Sequence, residues 1–313
     1  MKEGYIPKNQ RKKILMLSDD IRTHSGVGCQ ARNIIINTSH RFNWVNLGGA
    51  VKHPESGNGF DLSEEVNKLV GINDSSVKVI ASSGYGDSNM LRQLITQEQP
   101  DALVHFTDPR YWIWLYAMEN EIRQKMPMVF YTMWDDLPYP MYNKSYYESD
   151  DMLLGISKQS TNIVKNVLKD YPKPDWAIKY VPHGIDPTHF FPIINDLEFE
   201  VWKDKLLENK EYNFVLFHNS RNIRRKNQSD LILAWRTFLD QLPKNEAEKC
   251  LLILKTEISD DNGTDLGKVA ESICDPEIHK VRFIGENLPE KEMNYLYNIS
   301  DAHMFMTDNE GWG

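Results

Sequence analysis

Arg221, Arg224, Arg225 and Lys226 crowd one short segment, HNSRNIRRKN, in a chain that is acidic overall. The segment follows the apolar run NFVLF and precedes QSDLILAWRTF, whose apolar spacing predicts a helix beginning near Ser229. Arginine offers a planar fork to phosphate oxygens, lysine offers a point charge, and a helix N-terminus adds partial positive charge. The two phosphates of a nucleotide fit that arrangement. The plain alternative is a solvated basic loop with no ligand. Its position after a strand favours the ligand, because open α/β sheets bind at the carboxyl ends of their strands.

Two other stretches carry similar signals. Ser25-Gly26-Val27-Gly28 stands between a strand and a helix, where Gly26 and Gly28 let backbone N–H groups approach an anion. By itself this reads equally well as a tight turn, since neither a full G-x-G-x-x-G nor a P-loop lysine is present. YVPHGIDPTHFFP, 180–192, has Gly184 for a sharp turn and Pro182 and Pro187 to stiffen it, as a domain-exit loop would. The adjacent acids in SDD (18–20) and WDD (134–136) read as loop solvation or helix caps. No Asp-x-Asp occurs.

The elements that must position these residues alternate. Short runs apolar on both faces predict strands over 13–18, 44–48, 77–82, 102–106, 128–132, 152–156 and 178–182, then over 214–218, 251–255, 281–285 and 303–307. Helical segments are expected at 27–37, 90–98, 113–125, 158–169, 229–240 and 289–299. Alternation of this kind gives an α/β class with doubly wound sheets. The pattern lapses between about 187 and 211 and then restarts. Two Rossmann-like domains are therefore expected: 1–190, a linker over 191–210, and 211–313. An apolar run followed by NEGWG is a poor way to finish a domain, so the second is expected to be truncated and incomplete.

Bulk properties narrow the class. A chain of 313 residues suits two ordinary domains. A formal charge of −9 with no long block of one sign argues against nucleic acid as a general partner, while leaving room for a local basic pocket. Cys29, Cys250 and Cys274 form no C-x-x-C pair, so neither a zinc site nor a disulfide framework is suggested, and a reducing, cytoplasmic location fits. No run is long enough to span a bilayer. The leader MKEGYIPKNQRKK has charge but no apolar core, so it is read as a disordered lead-in, with peripheral contact to anionic lipid left open.

Taken in order, these motifs resemble the GT-B glycosyltransferases, in particular the retaining glycosyltransferase family four. Arg221 and Lys226 keep the family's Arg-x-x-x-x-Lys spacing after a strand. VPHGIDPTHFFP is similar to its linker motif v-P-N-G-V-D-x-x-x-F-x-P, with His183 for Asn. VRFIGENLPEKEMNYLYNISDAHMFM resembles the family's later strand–helix–strand stretch, and Glu310-Gly311-Trp312-Gly313 resembles E-G-F-G. The likeness is closest after residue 150. A second glutamate, which in the family follows the first and holds the nucleotide ribose, would fall beyond Gly313.

The resemblance implies a hexosyltransferase: a sugar passes from a nucleotide-diphosphate sugar, UDP- or GDP-linked, to a carbohydrate, lipid or protein acceptor, with retention and without a metal or other cofactor, in keeping with the missing Asp-x-Asp. It implies that Arg221 and Lys226 stabilise the leaving diphosphate with backbone help from Gly26 and Gly28, and that Glu310, beside Gly311, holds the donor sugar. The family's sugar-contacting histidine corresponds to His105 or to Thr107 in HFTDP. The first domain holds the acceptor in this family, and the aromatic faces of Trp112, Tyr139 and Tyr142 are candidates for it, set against core packing. Other readings are another GT-B enzyme, such as a sugar-nucleotide epimerase, and a non-catalytic fragment that binds nucleotide sugars. A phosphorylase would need a pyridoxal-phosphate lysine in a region absent here. A dinucleotide oxidoreductase would want an acid after the second strand, where WVNLGG has none.

Overall fold

The computed structural model describes residues 3–50 and 54–311. These fall into two units. One runs through His183 and takes in Glu310 and Gly311; the other is Gly184–Asn309.

In the first unit, strand β1 (Lys12–Asp19) shows why its neighbours are apolar on both faces. Leu15 and Leu17 pack to one side with Leu47, Leu103 and Trp112, while Ile14 and Met16 pack to the other with Ala31, Ile35 and Val79. The remaining strands are β2 (Phe42–Gly49), β3 (Gly59–Asp61), β4 (Val77–Ala81), β5 (Ala102–His105), β6 (Met128–Thr132), β7 (Met152–Gly155) and β8 (Ile178–Tyr180). They form one sheet in the order β3-β4-β2-β1-β5-β6-β7-β8, parallel except where the short β3 runs antiparallel to β4. Strand order reverses between β1 and β5, which is where such a sheet opens a crevice at its carboxyl edge.

Helices α1 (Gly26–Thr38), α2 (Ser63–Val70), α3 (Ser88–Glu98), α4 (Ile113–Tyr116), α5 (Glu119–Arg123), α6 (Lys144–Ser149) and α7 (Lys158–Val167) complete the unit. Side chains of Ser25, Asp87 and Ser157 cap α1, α3 and α7 by accepting from backbone N–H groups of the first turn. The single helix expected over 113–125 is broken. Met118 N donates to Leu115 O, closing a tight turn that ends α4 before α5 begins.

The second unit repeats the plan. Its strands β9 (Phe214–Asn219), β10 (Cys250–Lys255), β11 (Val281–Ile284) and β12 (Ala302–His303) lie in the order β11-β10-β9-β12, all parallel. Val215 and Phe217 face Ile253 and Leu296 on one side; Leu216 faces Leu252, Leu254 and Trp235 on the other. Its helices are α8 (Leu197–Leu206), α9 (Gln228–Leu239), α10 (Lys244–Ala247), α11 (Leu266–Ile273) and α12 (Glu290–Ile299).

Other stretches also differ from the sequence expectation. The 191–210 segment lies within the second unit and holds α8, capped by Asp196. Phe199 and Trp202 each place a ring 5.3 Å from that of Tyr295, and Asn294 and Asn298 bond the backbone at Phe191 and Ile193. The strand expected over 303–307 stops at His303, because the Met304 carbonyl is taken by the His218 side chain at 2.7 Å.

Candidate functional site

Strand β9 lies between β10 and β12, so its carboxyl end is the switch point of the second sheet. The chain leaves it at Asn219 and makes a 3₁₀ turn over Arg224–Lys226. It enters α9 through Asn227 in the left-handed region, φ 48°. The four cations differ in setting. Arg221, Arg224 and Arg225 are exposed, whereas Lys226 is 8% exposed. Arg221 Nε donates to Asp260 Oδ2 at 2.9 Å and holds that carboxyl below its ordinary pKa. Arg225 Nη1 donates to the Asn309 carbonyl at 2.7 Å.

His218 lies beneath this loop, wholly buried. Nδ1 must carry its proton, because its partner is the Met304 carbonyl at 2.7 Å. Nε2 is then an acceptor, 2.7 Å from Ser220 Oγ and 3.2 Å from the Gln228 amide nitrogen. Gln228 continues the network to the Ser220 carbonyl at 3.1 Å and Thr256 at 3.3 Å. Burial pushes the imidazole below its ordinary pKa; the neighbouring charges of His303 and Lys226 add to that, and the Met304 carbonyl opposes it. This neutral network fastens the start of the basic loop to both β9 and the segment after β12. Sequence reading passed over His218 as the last residue of an apolar strand. The available signal was a polar side chain inside that run.

In the first unit, the matching position is the turn from β1 into α1. Ser25 Oγ accepts from Gly28 N at 2.9 Å and donates to Asp19, whose carboxyl burial raises above its ordinary pKa; Ser25 and Tyr85 oppose the rise. A Cβ on Gly28 would come 2.5 Å from Thr23 Oγ1 and 2.8 Å from the Asp20 carbonyl, so the turn requires glycine there. Gly26 has open space around its missing Cβ.

His105 and Trp112 meet the core rather than the crevice. His105 is fully buried, stacked on Phe130 at 4.7 Å, with Nδ1 2.9 Å from Tyr116 Oη; burial alone pushes its pKa down to about 3. Thr107, the alternative position, is also buried. Trp112 is fully buried between the rings of Tyr85, His105 and Trp114. A sugar reaches neither ring in this conformation, because aromatic packing has filled the end of β5. Tyr139 and Tyr142 are exposed, and Tyr142 meets Trp134 edge-on.

By sequence alone the chain matches no protein-family model and no curated protein. By structure it is similar to an α,α-trehalose-phosphate synthase (UDP-forming) from Burkholderia vietnamiensis. That match has a TM-score of 0.66 and 9% identity, and covers 99% of this chain and 79% of that one. The corresponding enzyme of Burkholderia xenovorans, in complex with glucose-6-phosphate, gives a TM-score of 0.63 at 10% identity, over 97% and 80%. A glycosyltransferase from Rickettsia africae gives 0.62 at 16% identity, over 95% and 73%. The chain has the GT-B fold.

Within this GT-B chain the expected residues are divided between the two units. Arg221 and Lys226 share the loop after β9, and Gly26 and Gly28 share the first turn of α1. Glu310 and Gly311 group with the first unit, where a Cβ on Gly311 would come 2.9 Å from both Ile156 Cδ1 and the Met133 carbonyl. Trp312 and Gly313 lie outside the described residues. Among the described residues no helix is long and apolar enough to cross a membrane.

Proposed function

We propose that this chain is a retaining glycosyltransferase that moves a sugar from a nucleotide-diphosphate sugar to an acceptor without a metal ion. The observation that carries the reading is the basic loop at the carboxyl end of β9, with Lys226 buried and the loop pinned by His218. As the bond between the anomeric carbon and the diphosphate breaks, negative charge grows on the leaving group while a bond forms to an acceptor hydroxyl. Fixed cations stabilise that charge because they need no reorganisation as it develops. Arg221 and Lys226 take this role; in the first unit, the N–H groups at Gly26 and Gly28 with the α1 dipole offer an anion site of their own. Glu310 accepts from the sugar hydroxyls beside the Gly311 backbone. Tyr139 and Tyr142 offer exposed faces to the acceptor, whereas His105 and Trp112 are assigned to the core that supports the crevice edge.

A UDP-sugar is the first donor to try, and a sugar phosphate the first acceptor, since structural neighbours are UDP-forming and one holds glucose-6-phosphate. The test incubates the chain with UDP-glucose or GDP-mannose, with and without glucose-6-phosphate. It measures the nucleoside diphosphate released and the anomeric configuration of any product by proton NMR. Release with a retained α-linkage supports the reading. Inverted product, or dependence on added divalent ion, removes the mechanism; a chain that neither binds nor turns over either donor removes the function.

A further inference from the structure

The loop after β9 and the segment after β12 are laced together inside the second unit. Asp308 N donates to the Arg225 carbonyl at 2.9 Å, and Arg225 Nη1 donates to the Asn309 carbonyl at 2.7 Å, with Asn309 Oδ1 at 3.4 Å. Asn227 Nδ2 donates to Asp308 Oδ1 at 2.7 Å, and His218 Nδ1 closes the near end on the Met304 carbonyl at 2.7 Å. Thr307 Oγ1 donates to the Asn309 carbonyl at 2.9 Å, so the same oxygen takes two donors and the segment is folded as a turn. The Thr307–Asn309 bond aside, these contacts join residues more than eighty positions apart: the Arg225 carbonyl takes the Asp308 N–H, and the side chains of His218, Arg225 and Asn227 reach across to the other segment.

We infer that Arg225 and Asn227 are positioning residues that couple the diphosphate loop to recognition of the donor sugar. The inference rests on the glycosyltransferase reading, which gives the diphosphate to Arg221 and Lys226 and the sugar to Glu310. Glu310 is the residue immediately after Asn309, so chain continuity carries the clasp directly to it. Of the four cations, Arg225 has a guanidinium N–H committed to a backbone carbonyl of the sugar-side segment, and Asn227 occupies a left-handed position from which its side-chain amide reaches Asp308. With the clasp intact, the segment before Glu310 is pre-ordered, and the donor sugar binds without the entropy cost of ordering it. With it removed, the nucleoside diphosphate still meets Lys226 and Arg221, but the sugar meets a loose carboxylate.

The experiment is calorimetric titration of native chain, Arg225→Ala, Asn227→Ala, the double variant and Arg225→Lys. The probes are UDP against UDP-glucose, and GDP against GDP-mannose, alongside donor kinetics. The expected result is a double variant that binds the diphosphate within about twofold of native but the nucleotide sugar about tenfold more weakly, a loss of roughly 1.4 kcal/mol. Its KM for donor rises accordingly. Arg225→Lys, which keeps an N–H for the Asn309 carbonyl, recovers most of the loss, whereas a general folding defect would weaken both probes and lower Tm. Parallel weakening of both probes at unchanged Tm makes Arg225 a phosphate ligand and overturns the inference; unchanged binding of both makes the clasp idle and overturns it too. Arg221→Ala reports separately on the parent reading: it weakens both probes if a diphosphate sits at this loop. A native chain that binds no probe overturns both.

Discussion

Lys226 and Arg221 are assigned the same task, yet their surroundings predict unequal contributions. Lys226 is 8% exposed, whereas the Arg221 side chain is 64% exposed and already paired with Asp260 at 2.9 Å. A unit charge about 4 Å from a phosphate oxygen interacts with ~4 kcal/mol at an effective dielectric constant of ~20, and with ~1 kcal/mol in bulk water. The first value suits a nearly buried ammonium; the second suits a solvated guanidinium that shares its charge. At about 1.4 kcal/mol per decade of rate, Lys226→Met should cost about 10²–10³-fold in kcat and Arg221→Gln about five- to tenfold. Methionine keeps the apolar stem, and Tm measured alongside separates any folding loss from the loss of charge at the reacting centre. Steady-state release of UDP or GDP from the donor, measured with a coupled assay, gives both numbers. The reasoning is refuted if Arg221→Gln loses as much as Lys226→Met, or if Lys226→Met stays within tenfold of native.

Three further outcomes follow from the first unit. His105 stays neutral in the folded chain, its pKa pushed to about 3, while the unfolded chain takes up a proton on it below pH ~6.5. It therefore withdraws stability as pH falls from ~6.5, by roughly 2 kcal/mol at pH 5, and His105→Gln should flatten the pH 7-to-5 decline in Tm. Asp150, whose buried carboxyl is raised, pulls the other way, so the comparison is of native with variant; equal slopes would count against a buried neutral His105. Trp112→Ala should cost about 3–5 kcal/mol by denaturant unfolding, whereas Tyr142→Ala should leave stability within about 0.5 kcal/mol and raise only the KM for acceptor. Gly28→Ala should destabilise by about 1–3 kcal/mol because its Cβ would strike Thr23 and Asp20, while Gly26→Ala should leave unfolding unchanged and, if a diphosphate approaches there, weaken donor binding.

The alternation of strands and helices was legible because each central strand is buried on both faces, as Leu15 and Met16 show by pointing into opposite cores. The three-residue β3 was not, since it pairs at an edge through Gly59–Asp61 and carries no apolar run. Helix α8 was obscured by its charge: Phe199 is its one buried residue, so no clear apolar stripe marks it. The basic character of the 221–226 loop and its place between a strand and a helix could be read from residue type and order. Whether His105 and Trp112 faced a ligand or the core could not, because that depends on Tyr85, Tyr116 and Phe130, which arrive from elsewhere in the chain. The His218 network and the Arg225–Asn309 clasp were invisible for the same reason, being made between segments joined only by the closing of β12 onto β9.

The central claim is tested most directly by a crystal structure of the chain soaked with UDP, or with GDP if that binds more tightly. The account predicts the diphosphate at the carboxyl end of β9, its oxygens within hydrogen-bond reach of Lys226 Nζ and of the Arg221 guanidinium. A diphosphate bound elsewhere, with both cations turned to solvent, would contradict it.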